Sequence, residues 1–549
     1  MCCGRPVAES KKAFVRRQCG FWAPRAVSAI LLALVLCALP AAAELQSVRV
    51  GGEIRIRGNY WRHSFERPTG NALVGNFVRW NSNVVRWRPI GDAVGGQTIV
   101  SFFDWDDEGD DYQLVEQRTR LNVRADFTDN VGVFVEFEGY DVWGEDFRSD
   151  YLTGLDRRGT GNVETYQAYI EVNECFGGPV RARIGRQELV FGEGWLLGAN
   201  NAIPEFPGLS FDALRLTCAR NGFSLDAVFA KLAERAGIEQ DGDVDLYGLY
   251  AACAPKDAIQ ADLYWLLVRD AIARKDTNAG PLREALEDWL GLDDYDPTYL
   301  HTLGARLSGA AAGFDYSLEA AYQFGGASAA GALFRPIVYG DDEADFDAWA
   351  GDFEVGYTFD TAWSPRVWLG AAYFEGEDNR DVGFWDWLNP FTAFKPAEAS
   401  IGFNRLFSDK VYSYFLDDQA ALSNFWTARG GLSVSPAECV RLGAYAAWFE
   451  ALETFGQPLH LRVNGVRVPL APALSFWTQP SDESLGWEAG LWAEYDYTDD
   501  LQFRAGWSHF FTGDGLYDGN YIDLNGLAFN GGTGDDDADY LYLEAVIRF

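Results

Sequence analysis

The chain is poor in the residues that carry most enzyme chemistry. It has one methionine and four histidines in 549 residues. His63, His301, His460 and His509 are widely scattered, and none falls in a GxSxG or HExxH motif. Catalysis needs nucleophile, base and orienting group held together, so the scatter argues against an enzyme, with no catalytic residue and no cofactor expected. No CxxC pair or Cys/His constellation marks a metal site. Basic side chains are also short, 45 against 81 acidic ones, for a formal net charge of −36. That balance argues against nucleic acid as a partner, because phosphate binding needs a basic footprint. Long apolar runs are missing as well. After the first forty positions none approaches the ~20 residues that a membrane-spanning helix requires.

What the chain does hold is aromatic residues and glycine, with 20 Trp, 25 Tyr, 38 Phe and 58 Gly. This composition without apolar runs points to many short strands, as in a membrane β-barrel. The N-terminus reads as a targeting segment. Arg5, Lys11, Lys12, Arg16, Arg17 and Arg25 precede an apolar stretch from Ala26 to Leu39 and the small residues Ala41, Ala42 and Ala43. This is a secretory signal over 1–43, cleaved near Ala43, leaving one domain over 44–549.

The mature part alternates polar and apolar residues in segments of roughly nine to thirteen, the length of a tilted spanning strand. Arg118-Thr119-Arg120-Leu121-Asn122-Val123-Arg124-Ala125 is one such segment. On a strand, successive side chains point to opposite faces, so lipid-facing and bore-facing sets separate by parity. Eighteen segments of this kind run from 48–60 to 538–549. After the first strand their connections alternate long and short. Thr128-Asp129-Asn130, Asn221-Gly222 and Asp499-Asp500 are short, whereas 61–113, 270–298 and 378–423 are long. A soluble sandwich has no reason to sort its loops by parity. The expected fold is all-β: a single transmembrane antiparallel barrel of about 18 strands, with short periplasmic turns and long extracellular loops in the bacterial outer membrane. Its lipid would be one partner. The last strand, with Leu541, Leu543, Ala545, Ile547 and Phe549 on one face, would close against the first, leaving no edge in lipid.

After the signal segment, arginine outnumbers lysine 34 to 5. Arg49, Arg55 and Arg57 share the bore parity of the first strand. Arg118, Arg120 and Arg124 share that of the second, and Arg181, Arg183 and Arg215 fall on the fifth and sixth. Arg186 is out of phase with Arg183 unless Gly185 hosts a bulge. Two readings stand side by side. Rings of arginine select anions, because a guanidinium offers several donors and stays protonated. Alternatively, Glu53, Glu116, Asp126, Glu136, Glu138, Glu164 and Glu171 make cross-strand ion pairs that hydrate a wide interior.

Over about residues 48–230 the chain resembles the alginate export family of outer-membrane barrels. The likeness rests on Gly185-Arg186-Gln187-Glu188 with its following aromatic-glycine turn, on Ser210-Phe211-Asp212-Ala213-Leu214-Arg215-Leu216, and on Glu116-Gln117-Arg118-Thr119-Arg120-Leu121. The terminal Tyr540-to-Phe549 strand resembles the signal read by the barrel-assembly machinery. The resemblance implies a monomeric passive channel with an arginine-rich conduit, and an acidic polysaccharide as the transported partner. Carried over by position, the channel-lining residues are Arg55, Arg57, Arg118, Arg120, Arg124, Arg181, Arg183 and Arg215. One feature departs from the family. A long periplasmic turn that gates the alginate exporter is here only Asp499-Asp500, so a general porin for small solutes is the alternative.

Acidic runs such as 104–111 and 535–537 fall in the long loops and read as solvated surface rather than cation sites. The 378–423 loop carries Phe384, Trp385, Trp387, Phe391, Phe394, Phe403 and Phe407. It is expected to pack its own small core or join an interfacial aromatic belt, the alternative being an inward constriction. Cys175, Cys218, Cys253 and Cys439 all map to the short-turn side, mostly on non-adjacent strands, so their pairing stays open.

Overall fold

The computed structural model describes residues 44–62, 65–66, 102–103, 111–127, 130–144, 163–201, 206–234, 243–256, 259–271, 297–328, 343–376, 399–417, 423–452, 457–458, 460–463, 466–469, 478–479, 482–515 and 537–549. Residues 1–43, read from the sequence as a secretory signal, lie outside them, as do Phe384 to Phe394, the 293–296 acidic run and nearly all of 104–111.

Among the described residues, eighteen antiparallel strands form the wall. They are β1 (Leu45–Arg62), β2 (Tyr112–Phe127), β3 (Val131–Val142), β4 (Val163–Val172), β5 (Val180–Gln187) and β6 (Phe211–Arg220). Next come β7 (Phe223–Ala233), β8 (Val244–Lys256), β9 (Ile259–Asp270), β10 (Thr298–Ala311), β11 (Phe314–Ser328) and β12 (Glu343–Thr358). The rest are β13 (Arg366–Phe374), β14 (Phe425–Ala437), β15 (Val440–Ala451), β16 (Ser484–Asp496), β17 (Leu501–Thr512) and β18 (Ala538–Arg548). Each pairs with its sequence neighbour, and β1 also pairs with β18 from Glu53↔Arg548 to Arg62↔Asp539. The ring is therefore closed.

Parity does what the alternation implies. On β18, Leu541, Leu543 and Ile547 are exposed on the outer face, while Tyr540, Tyr542, Glu544 and Val546 are buried inside. Leu263, Leu369 and Leu491 likewise face outward, where lipid rather than water is their solvent. The described short turns at 173–179, 221–222, 312–313, 359–365, 438–439 and 497–500 all lie at one end of the barrel. The turn from β16 to β17 spans only 497–500, with Thr498 N–H donating to Leu501 O at 3.2 Å. The cysteines Cys175, Cys218, Cys253 and Cys439 are all free thiols near the short-turn end.

Gly185 hosts no bulge, the condition under which Arg186 would have come into phase. Register runs unbroken from Val180↔Cys218 through Gly185↔Ala213 to Gln187↔Phe211, so Arg186 stays out of phase. It faces outward and pairs with Asp212 at 2.9 Å. The bulge sits instead one strand earlier, where β4 slips between Thr165 and Gln167 against β3. The extra residue, Tyr166, turns inward and is almost fully buried. Gly185 has its own constraint: φ is +126°, and a Cβ would lie 2.3 Å from Ala168 O. Gly185→Val is expected to cost about 1–3 kcal/mol, seen as a lower melting point of the heat-modifiable band on gels. An unchanged melting point would show that the neighbouring strand gives way.

Candidate functional site: the bore and the two segments that cross it

Two long connections fold into the barrel. The chain leaves β5 at Gln187, whose side-chain amide donates to Ala213 O at 3.0 Å, and Glu188 N–H donates to Gln167 Oε1 at 3.2 Å. These contacts turn residues 188–201 inward, and 206–210 follow the same side. Leu189, Trp195, Leu196, Leu197 and Phe206 are buried there. The second segment, 402–417, buries Phe403, Phe407, Tyr412, Phe415 and Leu416. Phe403 and Phe407 therefore belong to the inward constriction rather than to a core of the loop's own. The segments are joined to each other. Gly198 N–H donates to Phe407 O at 2.9 Å, Phe407 N–H to Leu196 O at 3.0 Å, and Trp195 Nε1 to the Tyr412 hydroxyl at 3.0 Å.

They are also fastened to the wall. Phe206 lies against the arginine wall, 4.7 Å from the Arg57 guanidinium and 5.9 Å from that of Arg118. Arg118 donates to Phe206 O at 2.7 Å and to Asn201 Oδ1 at 3.1 Å. Arg306 on β10 grips Glu193 and pairs with Asp262 at 3.1 Å. Two strands along the same wall, Asp352 of β12 accepts from Lys410 Nζ at 2.6 Å, the Tyr412 hydroxyl at 2.8 Å and Arg429 at 2.7 Å. Glu488 of β16 accepts from Ser413 Oγ at 2.6 Å and the Tyr445 hydroxyl at 2.6 Å. Arg405 forms a two-pronged pair with Asp417 at 2.7 Å. Burial pushes the Tyr412 and Tyr414 phenols well above their ordinary range, and Tyr412 donates its proton to Asp352.

The chain's family can now be stated on more than local motifs. The alginate export family model matches residues 104–525, well over half of the chain. The chain belongs to the alginate export family. The match runs far beyond the 48–230 stretch that carries the visible motifs, and an outer-membrane channel barrel follows from it. Among solved structures, the chain is similar to OccK8 (OprE) of Pseudomonas aeruginosa, at 11% identity and a TM-score of 0.47, covering 92% of this chain and 99% of that one. It is also similar to OccAB4 of Acinetobacter baumannii, at 8% identity and a TM-score of 0.46, covering 93% and 100%. No curated relative matches.

In this alginate-export-family barrel, the eight arginines singled out from the sequence all stand at inward parity on β1, β2, β5 and β6. Most are engaged with wall carboxylates. Arg57 pairs with Glu544 at 3.0 Å, Arg118 with Glu53 at 2.7 Å and Arg120 with Glu138 at 2.6 Å. Glu171 is shared by Arg124 at 3.2 Å and Arg183 at 2.7 Å, and Arg215 meets Asp226 at 2.8 Å. Arg55 lies 3.6 Å from Glu53, with two buried guanidinium nitrogens lacking a hydrogen-bond partner. Arg181 makes no ion pair among the described residues. Cross-strand pairing is thus the dominant geometry.

Sequence reasoning missed Asp352, Arg405, Lys410, Arg429 and Glu488. The strand residues among them share the bore parity, a signal that was available. Arg405 and Lys410 sit in an aperiodic loop, where nothing local marks an inward path.

Proposed function

We propose that this barrel is a passive channel for anionic saccharides, crossing by diffusion past the arginine wall of β1, β2, β5 and β6. The supporting observation is the set of eight inward arginines on β1, β2, β5 and β6, beside which the inward segment carrying Phe206 narrows the space. Arg181, without an ion pair among the described residues, and the half-exposed Arg124 would offer donors to passing carboxylates. His301 and His509 have outward parity, so on this reading neither brings an imidazole to the bore. The family's name adds the expectation of an acidic sugar polymer. A second reading, a general porin for small solutes, is favoured by the ion pairing that neutralises most of the wall.

Reversal potential across a bilayer under a salt gradient separates the two. The proposal expects anion selectivity and faster liposome swelling in uronates than in neutral sugars of equal size. Arg181→Glu should lower the anion preference several-fold without loss of assembly. Cation selectivity of the parent channel would overturn the proposal.

A further inference from the structure

The inner wall opposite the arginines is built differently. At the level of the inward segments, Asp262, Arg306, Glu319 and Asp352 form a buried charged row in direct cross-strand register on β9 to β12. One row nearer the short turns, the same strands carry Gln260, Ser308, Ser317 and Glu354, again in direct register. This second row opens onto a cavity of about 500 Å³, capped by Glu193 from one inward segment and Lys410 from the other. That volume falls within the range of about 300–1,000 Å³ usual for small-molecule sites.

The charges at this cavity are already committed. Glu193 is held by Arg306, Lys410 by Asp352, and Glu354 by Arg366 at 3.1 Å. The two neighbouring hydroxyls are not. Neither Ser308 Oγ nor Ser317 Oγ has a hydrogen-bond partner among the described residues, although the strands place them directly opposite each other. Two adjacent hydroxyls, each both donor and acceptor, match vicinal hydroxyls of a sugar. Short side chains there leave the room that a ring needs.

We infer that Ser308 and Ser317, between Gln260 and Glu354, form a resting site for a polyhydroxylated solute, recognised through its hydroxyls rather than through charge. The inference rests on the saccharide reading above and adds where a sugar pauses. A sugar released from the constriction would exchange water for these hydroxyls before leaving at the short-turn end. Because the local charges are paired, neutral and acidic sugars would occupy the site alike.

Single-channel recording with sucrose and with glucuronate tests it. Both should interrupt the open current, and Ser308→Ala with Ser317→Ala should shorten the interruptions several-fold for both sugars. Open-channel conductance should stay at the parent value, which also certifies folding. Interruptions of unchanged length in the double variant would overturn the site while leaving the channel reading intact. Shortening with glucuronate alone would overturn recognition through hydroxyls. If the parent channel passes neither sugar in swelling assays, the saccharide reading itself fails, and the site with it. As a second variant, Ser308→Phe fills the cavity and should abolish sucrose interruptions; their persistence would also count against the site.

Discussion

Replacing Asp352 with alanine should raise single-channel conductance several-fold in a barrel that still assembles. This carboxylate, 4% exposed, is the point where the wall holds segment 402–417. It accepts from Lys410 at 2.6 Å and Tyr412 at 2.8 Å on the segment, and from Arg429 at 2.7 Å on β14. Removing it takes from Lys410 its carboxylate and leaves Arg429 with Glu354 at 3.9 Å. Breaking a buried pair from one side costs about 3–5 kcal/mol. The wall has no freedom to relieve that cost, since β12 is paired on both edges, but the segment can move. The contacts between Asn404 and Gln323 and between Ser413 and Glu488 remain, so partial release is expected rather than full withdrawal. Asp352→Asn, which keeps an acceptor oxygen and the volume, should fall between the two. Parent-like conductance in the alanine variant would show that aromatic packing alone holds the segment.

The second large effect concerns Arg118. Arg118→Leu is expected to loosen the inward segment at Asn201 and Phe206, increase conductance and lower the heat-modification midpoint. Its guanidinium is 1% exposed and binds Glu53 at 2.7 Å, Phe206 O at 2.7 Å and Asn201 at 3.1 Å. The acid left behind is not abandoned. Glu53 keeps Arg548 at 3.0 Å and Arg55 at 3.6 Å, which moderates the penalty. The loss falls on the segment, whose carbonyl at Phe206 forfeits a charged donor worth about 1.5–3 kcal/mol. Arg181→Leu offers the contrast: with no ion pair to break among the described residues, it should leave the midpoint unchanged and alter selectivity alone. If the two variants shift selectivity and stability equally, the division of the arginine wall into fasteners and solute contacts is wrong.

The barrel was legible because its signal is local and repeated. Alternation on Arg118 to Ala125 assigns faces without any knowledge of neighbours, and eighteen such segments with sorted loops leave a closed ring as the simplest arrangement. The inward arginines followed from the same parity. Arg186 was harder, since its position depended on whether Gly185 adds a residue to the ladder. Gly185 serves a close approach to Ala168 O instead, and the inserted residue is Tyr166, whose sequence context carries no glycine to announce it.

Sequence alone therefore determined the strands, their faces, the closure of β1 on β18 and the concentration of arginine on early strands, because each depends on a two-residue period or on chain order. Only the tertiary structure decided what those arginines do. Whether a guanidinium meets a carboxylate or open bore depends on register across strands distant in sequence, as with Arg57 and Glu544, 487 residues apart. The inward course of 188–201, 206–210 and 402–417 belongs to the same category. An aperiodic loop holds no face of its own, and its path is set by the walls that accept its aromatic rings and pair its charges.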